Sequence, residues 1–215
     1  MRALTAAILA VFVAAGGAQS QTPKGPAADT GSYRAQASAL IKSAEAGALF
    51  VAGASKGGPL AQHVKSSMVC HFEPASPANR IQVFDEGRGD DVGCATQLHD
   101  IKVTVFATRA GKADSLGREQ AEANAGVRRQ WPEVVPYKGE IVVANDKDRP
   151  PMMINRFIVS DGRTRQFVRT AAVRVGDWVY TQKAIAPEAS AKAAEFYAEA
   201  SLTFLYREAR LGRPL

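Results

Sequence analysis

The chain has 215 residues, a formal net charge of +6, two cysteines and an apolar content of 46%. Length and composition are those of a globular protein that can bury a sizeable core, in one domain preceded by a flexible segment. The positive charge is moderate and is ordinarily explained by solubility; it does not predict a nucleic-acid partner.

The first twenty residues, 1–20, have the pattern of a secretory signal. Met1 and Arg2 supply a short positive segment, and the apolar run 3–15 is too short to cross a bilayer. Small residues follow and offer cleavage after Ala18 or Ser20. We therefore expect a periplasmic or secreted protein with no transmembrane segment in the mature chain.

Residues 21–31 are small, polar and rich in proline and glycine, which predicts a disordered lead-in. The rest of the chain, 32–215, is predicted to be a single domain. Its predicted elements, in chain order, are a helix at 32–49, a break at 53–59, strands at 64–72, 81–84, 92–98 and 101–109, a helix from 114 or 115 to 129, strands at 140–144, 153–160, 163–173 and 178–183, and a helix from 187 to about 210.

Two features of this order decide the fold class. Asp161-Gly162 and Gly176-Asp177 are hairpin signals, and strands do not alternate with helices. The sequence predicts an α+β fold, a single domain with a mainly antiparallel sheet and helices packed on one face. In the strand 101–109, alternation predicts Val103 and Val105 on one side and Thr104 on the other.

The stretch 63–109 contains both cysteines, all three histidines and the densest acidic run, 85–91. Two cysteines in an exported chain pair most simply with each other, so we expect a Cys70–Cys94 disulfide between the strand near Met68 and the strand that begins near Val92. On the chain-entropy model such a loop stabilises the fold by roughly 3 kcal/mol.

The motif Gly53-Ala54-Ser55-Lys56-Gly57 matches the G-x-S-x-G nucleophile elbow of α/β-hydrolases, in which a strand-to-helix turn exposes the serine, although the chain is small for that class. Gly57-Gly58-Pro59 begins a helix poorly, and no parallel-sheet pattern surrounds the motif. We therefore interpret Ser55 as a loop residue and predict no catalytic residue, with a small periplasmic hydrolase as the alternative.

The histidines and the acidic run suggest a metal site only by composition. The spacing of His63, His71 and His99 matches no metal motif, and strand alternation puts His71 on the face opposite Cys70. The run 85–91 lacks the alternating acidic register of a calcium loop. We predict no metal and no cofactor, and keep a metal-binding module as a further alternative.

Arginines on one predicted sheet face give the most concrete binding hypothesis. Arg163, Arg165 and Arg169 alternate along one strand, with Arg156 on its neighbour. Guanidinium groups in this arrangement bind phosphate or carboxylate polymers, so these four are candidate anion-binding residues. An ordinary solvent-facing sheet surface explains the same pattern.

The pattern His63-x-x-Ser66-x-x-x-Cys70, followed by Asp91-Val92-Gly93-Cys94, resembles a group of small secreted proteobacterial proteins of uncharacterised function. The resemblance implies an exported, disulfide-bearing domain, and the group offers no known activity to carry over to this chain. From Ile101 onward the predicted element order is similar to that of PsbP-like domains, which implies an assembly or binding module.

These observations predict an exported, non-enzymatic binding or envelope-support protein. Its expected partner is an envelope protein or an anionic envelope polymer.

Overall fold

A computed structural model describes residues 29–84, 87–110, 115–141 and 150–212. The predicted signal, residues 21–28 of the lead-in, Asp85 and Glu86 lie outside the described residues. So does most of the predicted strand 140–144, whose first two residues form no strand.

Within the described ranges the chain forms three α-helices and ten β-strands. In chain order these are α1 (Thr30–Ser43), β1 (Phe50–Ser55), β2 (Gly58–His63), β3 (Val69–His71), β4 (Arg80–Val83), β5 (Asp91–Leu98), β6 (Ile101–Arg109), α2 (Ser115–Gln130), β7 (Glu133–Pro136), β8 (Met152–Ser160), β9 (Arg165–Val175), β10 (Trp178–Pro187) and, after a short 3-10 turn, α3 (Ala191–Leu211).

The strands form two antiparallel sheets. A small sheet has the order β1-β2-β3, and a large sheet has the order β4-β5-β6-β10-β9-β8-β7. Because eight residues of β10 pair with eight residues of β6, from Trp178 opposite Arg109 to Ile185 opposite Lys102, the hairpins on either side of α2 join into one sheet. The predicted α+β fold with a mainly antiparallel sheet is confirmed.

Side chains alternate between the two faces of the large sheet. In β6 the odd residues Ile101, Val103 and Val105 are buried, as predicted, and Lys102 and Thr104 point to the other face. The first face packs against α3, the small sheet and α1, and holds the larger core cluster. We call it the α3 face.

The opposite face, which we call the α2 face, packs against α2. Gln120 of α2 donates to Thr170 of β9, and Val127 and Trp131 pack on Val168. The sequence predicted the helices on one face; the structure adds this second layer. The main contacts of α2 are with β7, β8, β9 and β10, so this helix leaves the part of the α2 face over β4, β5 and β6 largely uncovered within the described residues.

Residues 53–59 were predicted as a break and instead form a tight hairpin. Lys56 and Gly57 turn the chain from β1 into β2, and β2 extends to His63. Gly58 has φ +153, and a Cβ there would lie 2.5 Å from the carbonyl oxygen of Phe72. The predicted strand 64–72 accordingly shortens to β3, and α1 ends at Ser43, earlier than predicted. β7 was not predicted.

The predicted disulfide is present. Cys70 lies on β3 and Cys94 on β5, with Cα atoms 6.1 Å apart. The bond therefore joins the small sheet to the large one across the shared core.

Candidate functional site

The four candidate arginines do not form an exposed basic face. Arg169 is fully buried on the α3 face, where its Nη2 donates to Glu199 at 2.6 Å and its Nη1 donates to Gln182 at 2.8 Å. Arg156 donates to Glu195 at 2.5 Å. Two guanidinium groups thus meet two carboxylates of α3, and an anion bound here would have to displace them.

The remaining two arginines lie near the turn between β8 and β9. Arg165 is exposed and makes two hydrogen bonds to Glu188, the shorter at 2.7 Å. Arg163 is exposed in the turn itself, where Asp161 accepts from its backbone N–H. The structure therefore separates Arg163 and Arg165 from Arg156 and Arg169.

Ser55 does not stand on a nucleophile elbow. It ends β1, and its Oγ accepts from the backbone N–H of Gly57 at 3.1 Å, an interaction that closes a hairpin turn. The following element is the strand β2, whereas the elbow requires a helix whose N-terminus lies beneath the serine. The motif is a turn sequence here.

His63 and Ser66 form a buried imidazole–hydroxyl pair. Nδ1 of His63 lies 2.8 Å from Oγ of Ser66, and the ring is edge-on to Trp178. The backbone N–H groups of Ser66 and Met68 donate to these two side chains, so the pair organises the turn between β2 and β3.

The other histidines are distant from this pair in the fold. His71 lies on β3 with its ring edge-on to Phe204 of α3, and His99 occupies the β5–β6 turn with φ +51. Among the residues that the structure describes, no group of three His, Cys, Asp or Glu could hold a metal ion.

The open part of the α2 face contains a basic pocket of about 470 Å³. Its centre is a row of four residues that are paired in register across β4, β5, β6 and β10, namely Arg80, Ala95, Thr104 and Lys183. The small side chains of Ala95 and Thr104 leave a hollow between the two cations. Lys102 supplies a third cation, one row further along β6.

Polar and aromatic groups complete this basic pocket. Its walls include Trp131 and the side-chain amides of Gln97, Gln130 and Gln166. None of the described residues that line it is acidic. The amide of Gln97 already donates to the carbonyl oxygen of His99 at 2.7 Å. The three cations and the amides of Gln130 and Gln166 can together donate several hydrogen bonds to one anionic group.

Lys183 is the cation most affected by its surroundings. Burial lowers its pKa below the usual lysine value, and the positive charge of Arg80 lowers this pKa further. Its Nζ donates to Oε1 of Gln130 at 3.3 Å. The amide of Gln130 is neutral and does not compensate the positive charge of Lys183, so a bound anion would stabilise the charged ammonium group.

A second opening on the same face adjoins the basic pocket. This cleft measures about 510 Å³ and shares Lys183 with it. Phe106 forms part of its lining beside Phe84, with ring centroids 5.7 Å apart. A Cβ on Gly93 would lie 2.6 Å from the Phe106 ring, so only glycine permits the ring to lie against β5.

Acidic residues at this cleft have partners of their own. Glu122 accepts from Arg129 at 2.5 Å, and Asp91 accepts from Oγ1 of Thr108 at 3.1 Å. The groove formed by the two openings is therefore basic at one end and apolar with an acidic rim at the other.

Sequence reasoning missed this groove because its cations come from three strands. Arg80, Lys102 and Lys183 are separated by 22 and 81 positions in the chain, and the pairings of β4 with β5, β5 with β6 and β6 with β10 bring them together. The one available signal was the alternation in the predicted strand 101–109, which places Lys102 and Thr104 on the side opposite Val103 and Val105.

No helix among the described residues is long and apolar enough to span a membrane. A comparison of the chain with protein-family models and with curated proteins finds no match.

Proposed function

We propose that this protein is an exported, non-enzymatic binding protein that holds an anionic ligand in the basic pocket. The observation that carries the proposal is the lining: Arg80, Lys102 and Lys183 converge on one hollow that no described acidic residue lines. Binding an anion there relieves the repulsion between the cations, and among the described residues it displaces no carboxylate that is paired with them. The buried arginines of the α3 face lack that advantage.

Export is supported by the predicted signal at 1–20 and by the Cys70–Cys94 disulfide, since such bonds persist in oxidising compartments. An exported location also indicates the class of ligand. Outside the cytoplasm the abundant anions are phosphate and carboxylate groups of envelope lipids and polymers, the partner class that the sequence also suggested.

A binding role fits the groove better than the hydrolase alternative. The residues that line its two openings include no serine, cysteine or histidine within the described part of the chain. Those are the groups that most often act as nucleophile and base.

The test is an NMR titration of the labelled protein with phenyl phosphate, using neutral benzyl alcohol as the control ligand. We expect shifts at Thr104, Lys183 and the Trp131 indole, weakened by added salt. In the Arg80→Gln/Lys183→Gln variant the affinity should fall at least about tenfold.

Lys56→Gln is the matched charge control, because Lys56 is exposed on the β1–β2 turn. Adding Arg34→Gln on the exposed side of α1 to this control matches the two charges that the double variant loses. Affinity equal in wild type and the double variant, or shifts confined to the surface around Arg163 and Arg165, would refute the proposed pocket.

A further inference from the structure

We infer that the ligand is an anionic amphiphile, with its phosphate or carboxylate head in the basic pocket and its hydrocarbon chain in the adjoining cleft. This inference rests on the proposed function and specifies its ligand class. It is carried by the continuity of the two openings through Lys183.

The register of the sheet gives the groove its direction. Along β6 the outward residues run from Lys102 through Thr104 to Phe106, and Lys183 lies beside Thr104 on β10. Four steps along an extended strand span about 13 Å, so Lys102 and Phe106 are separated by roughly the length of a short alkyl chain. A ligand that bridges them needs a charged end and an apolar body.

The cleft is suited to hydrocarbon. Phe84 is half exposed and lies beside Phe106, and two small residues of α2, Ala123 and Gly126, line the cleft together with the paired side chains of Glu122 and Arg129. Exposed aromatic surface of this kind gains free energy when an apolar group covers it.

Charge fixes the orientation of the ligand. The cleft lining combines the carboxylates of Asp91, Glu119 and Glu122 with two cations, Arg129 and Lys183, and Arg129 pairs with Glu122. The basic pocket combines three cations with no described carboxylate. An anionic head is therefore favoured at the pocket over the cleft, whereas a neutral head gains nothing from this difference.

Gly126 offers a way to block the cleft without harming the fold. A Cβ at this position meets no atom closer than 3.8 Å, and leucine is a better helix former than glycine. Gly126→Leu therefore places a side chain in the cleft. Gly117→Leu is its matched control, since Gly117 is exposed on the same helix with nothing within 4 Å.

The experiment is calorimetric titration of the disulfide-bonded protein with butyl, hexyl, octyl and decyl phosphate, each below its micelle concentration. Fatty carboxylates of matching chain length form a second arm of the experiment, which distinguishes a ligand with a phosphate head from a free fatty acid. Octyl glucoside is the neutral-head control. We expect the Kd to fall about two- to fourfold for each added methylene until the cleft is full.

Two further outcomes are expected. Gly126→Leu should abolish the dependence on chain length while leaving phenyl phosphate binding within about twofold, and Gly117→Leu should behave as wild type. Octyl glucoside should bind at least about tenfold more weakly than octyl phosphate.

The failures separate cleanly. Binding that is lost in Arg80→Gln/Lys183→Gln but independent of chain length overturns the amphiphile and leaves the anion site intact. Chain-dependent binding that ignores the charge of the head overturns both proposals, as does the lack of binding in every arm including phenyl phosphate.

Discussion

At the scale of single residues, Lys183 carries opposite consequences for stability and for binding. Its ammonium group is partly desolvated and faces Arg80, and both effects lower its pKa. The folded state therefore holds the proton of Lys183 less tightly than the unfolded chain does. An anion bound in the basic pocket would offset this cost.

Lys183→Gln should therefore stabilise the unliganded protein at neutral pH, by less than about 1 kcal/mol because solvent screens a half-buried charge. A group whose folded pKa is depressed binds fewer protons when folded, so the wild-type penalty is complete below that pKa. It disappears as the pH rises through the folded pKa towards 10.5, the usual lysine value.

Urea unfolding of Lys183→Gln and wild type between pH 7 and pH 10.5 tests this expectation, with Lys56→Gln as the control for the removal of one exposed lysine charge. A variant that is less stable than wild type at every pH would mean that the hydrogen bond to Gln130 outweighs the charge.

The same scale shows where sequence reasoning ends. Alternation correctly placed Arg165 and Arg169 on one side of β9. It could not reveal that α3, about thirty residues later, lays Glu195 and Glu199 over Arg169. Whether a strand arginine is exposed or buried depends on the charges of the element that covers it, and that information is distant in the chain.

At the scale of elements, local signals predicted the hairpins of the large sheet because Asp161-Gly162 and Gly176-Asp177 supply the backbone geometry that tight turns need. Gly162 and Gly176 both have positive φ. The β1–β2 hairpin was missed because the small residues and glycines in 53–59 predicted an interruption of regular structure. Two of them, Ser55 and Gly58, instead flank the turn at Lys56 and Gly57. Composition signals that the chain turns, but it does not say that strands continue on both sides.

The disulfide acts between elements, since it ties β3 of the small sheet to β5 of the large one. Replacing both cysteines by alanine should lower the free energy of unfolding by about 3 kcal/mol, the chain-entropy value for a loop of this length. Chemical denaturation of both proteins with and without reductant measures it. Reductant should destabilise wild type alone; an equal response of the double variant would indicate that the bond is not the cause.

At the scale of the whole molecule, two core clusters share one sheet. The larger lies on the α3 face and includes Trp178; the smaller lies under α2 and includes Trp131. Strands β8 and β9 supply side chains to both, with Phe167 in the first cluster and Val168 in the second. If β8 and β9 separated from the sheet, both clusters would therefore be exposed to solvent together.

The fold should therefore unfold in a single cooperative transition that both tryptophans report. Trp131→Phe leaves Trp178 as the probe of the α3 face, and Trp178→Phe leaves Trp131 as the probe beneath α2. In each variant the urea midpoint from fluorescence should coincide with that from far-UV circular dichroism, because the probe and the backbone belong to one unit. If α2 instead separates first, the Trp131 signal will change at lower urea than the dichroism of the same variant. That result would make the wall of the groove formed by α2 an independently opening element, and ligand binding should then raise the Trp131 midpoint selectively.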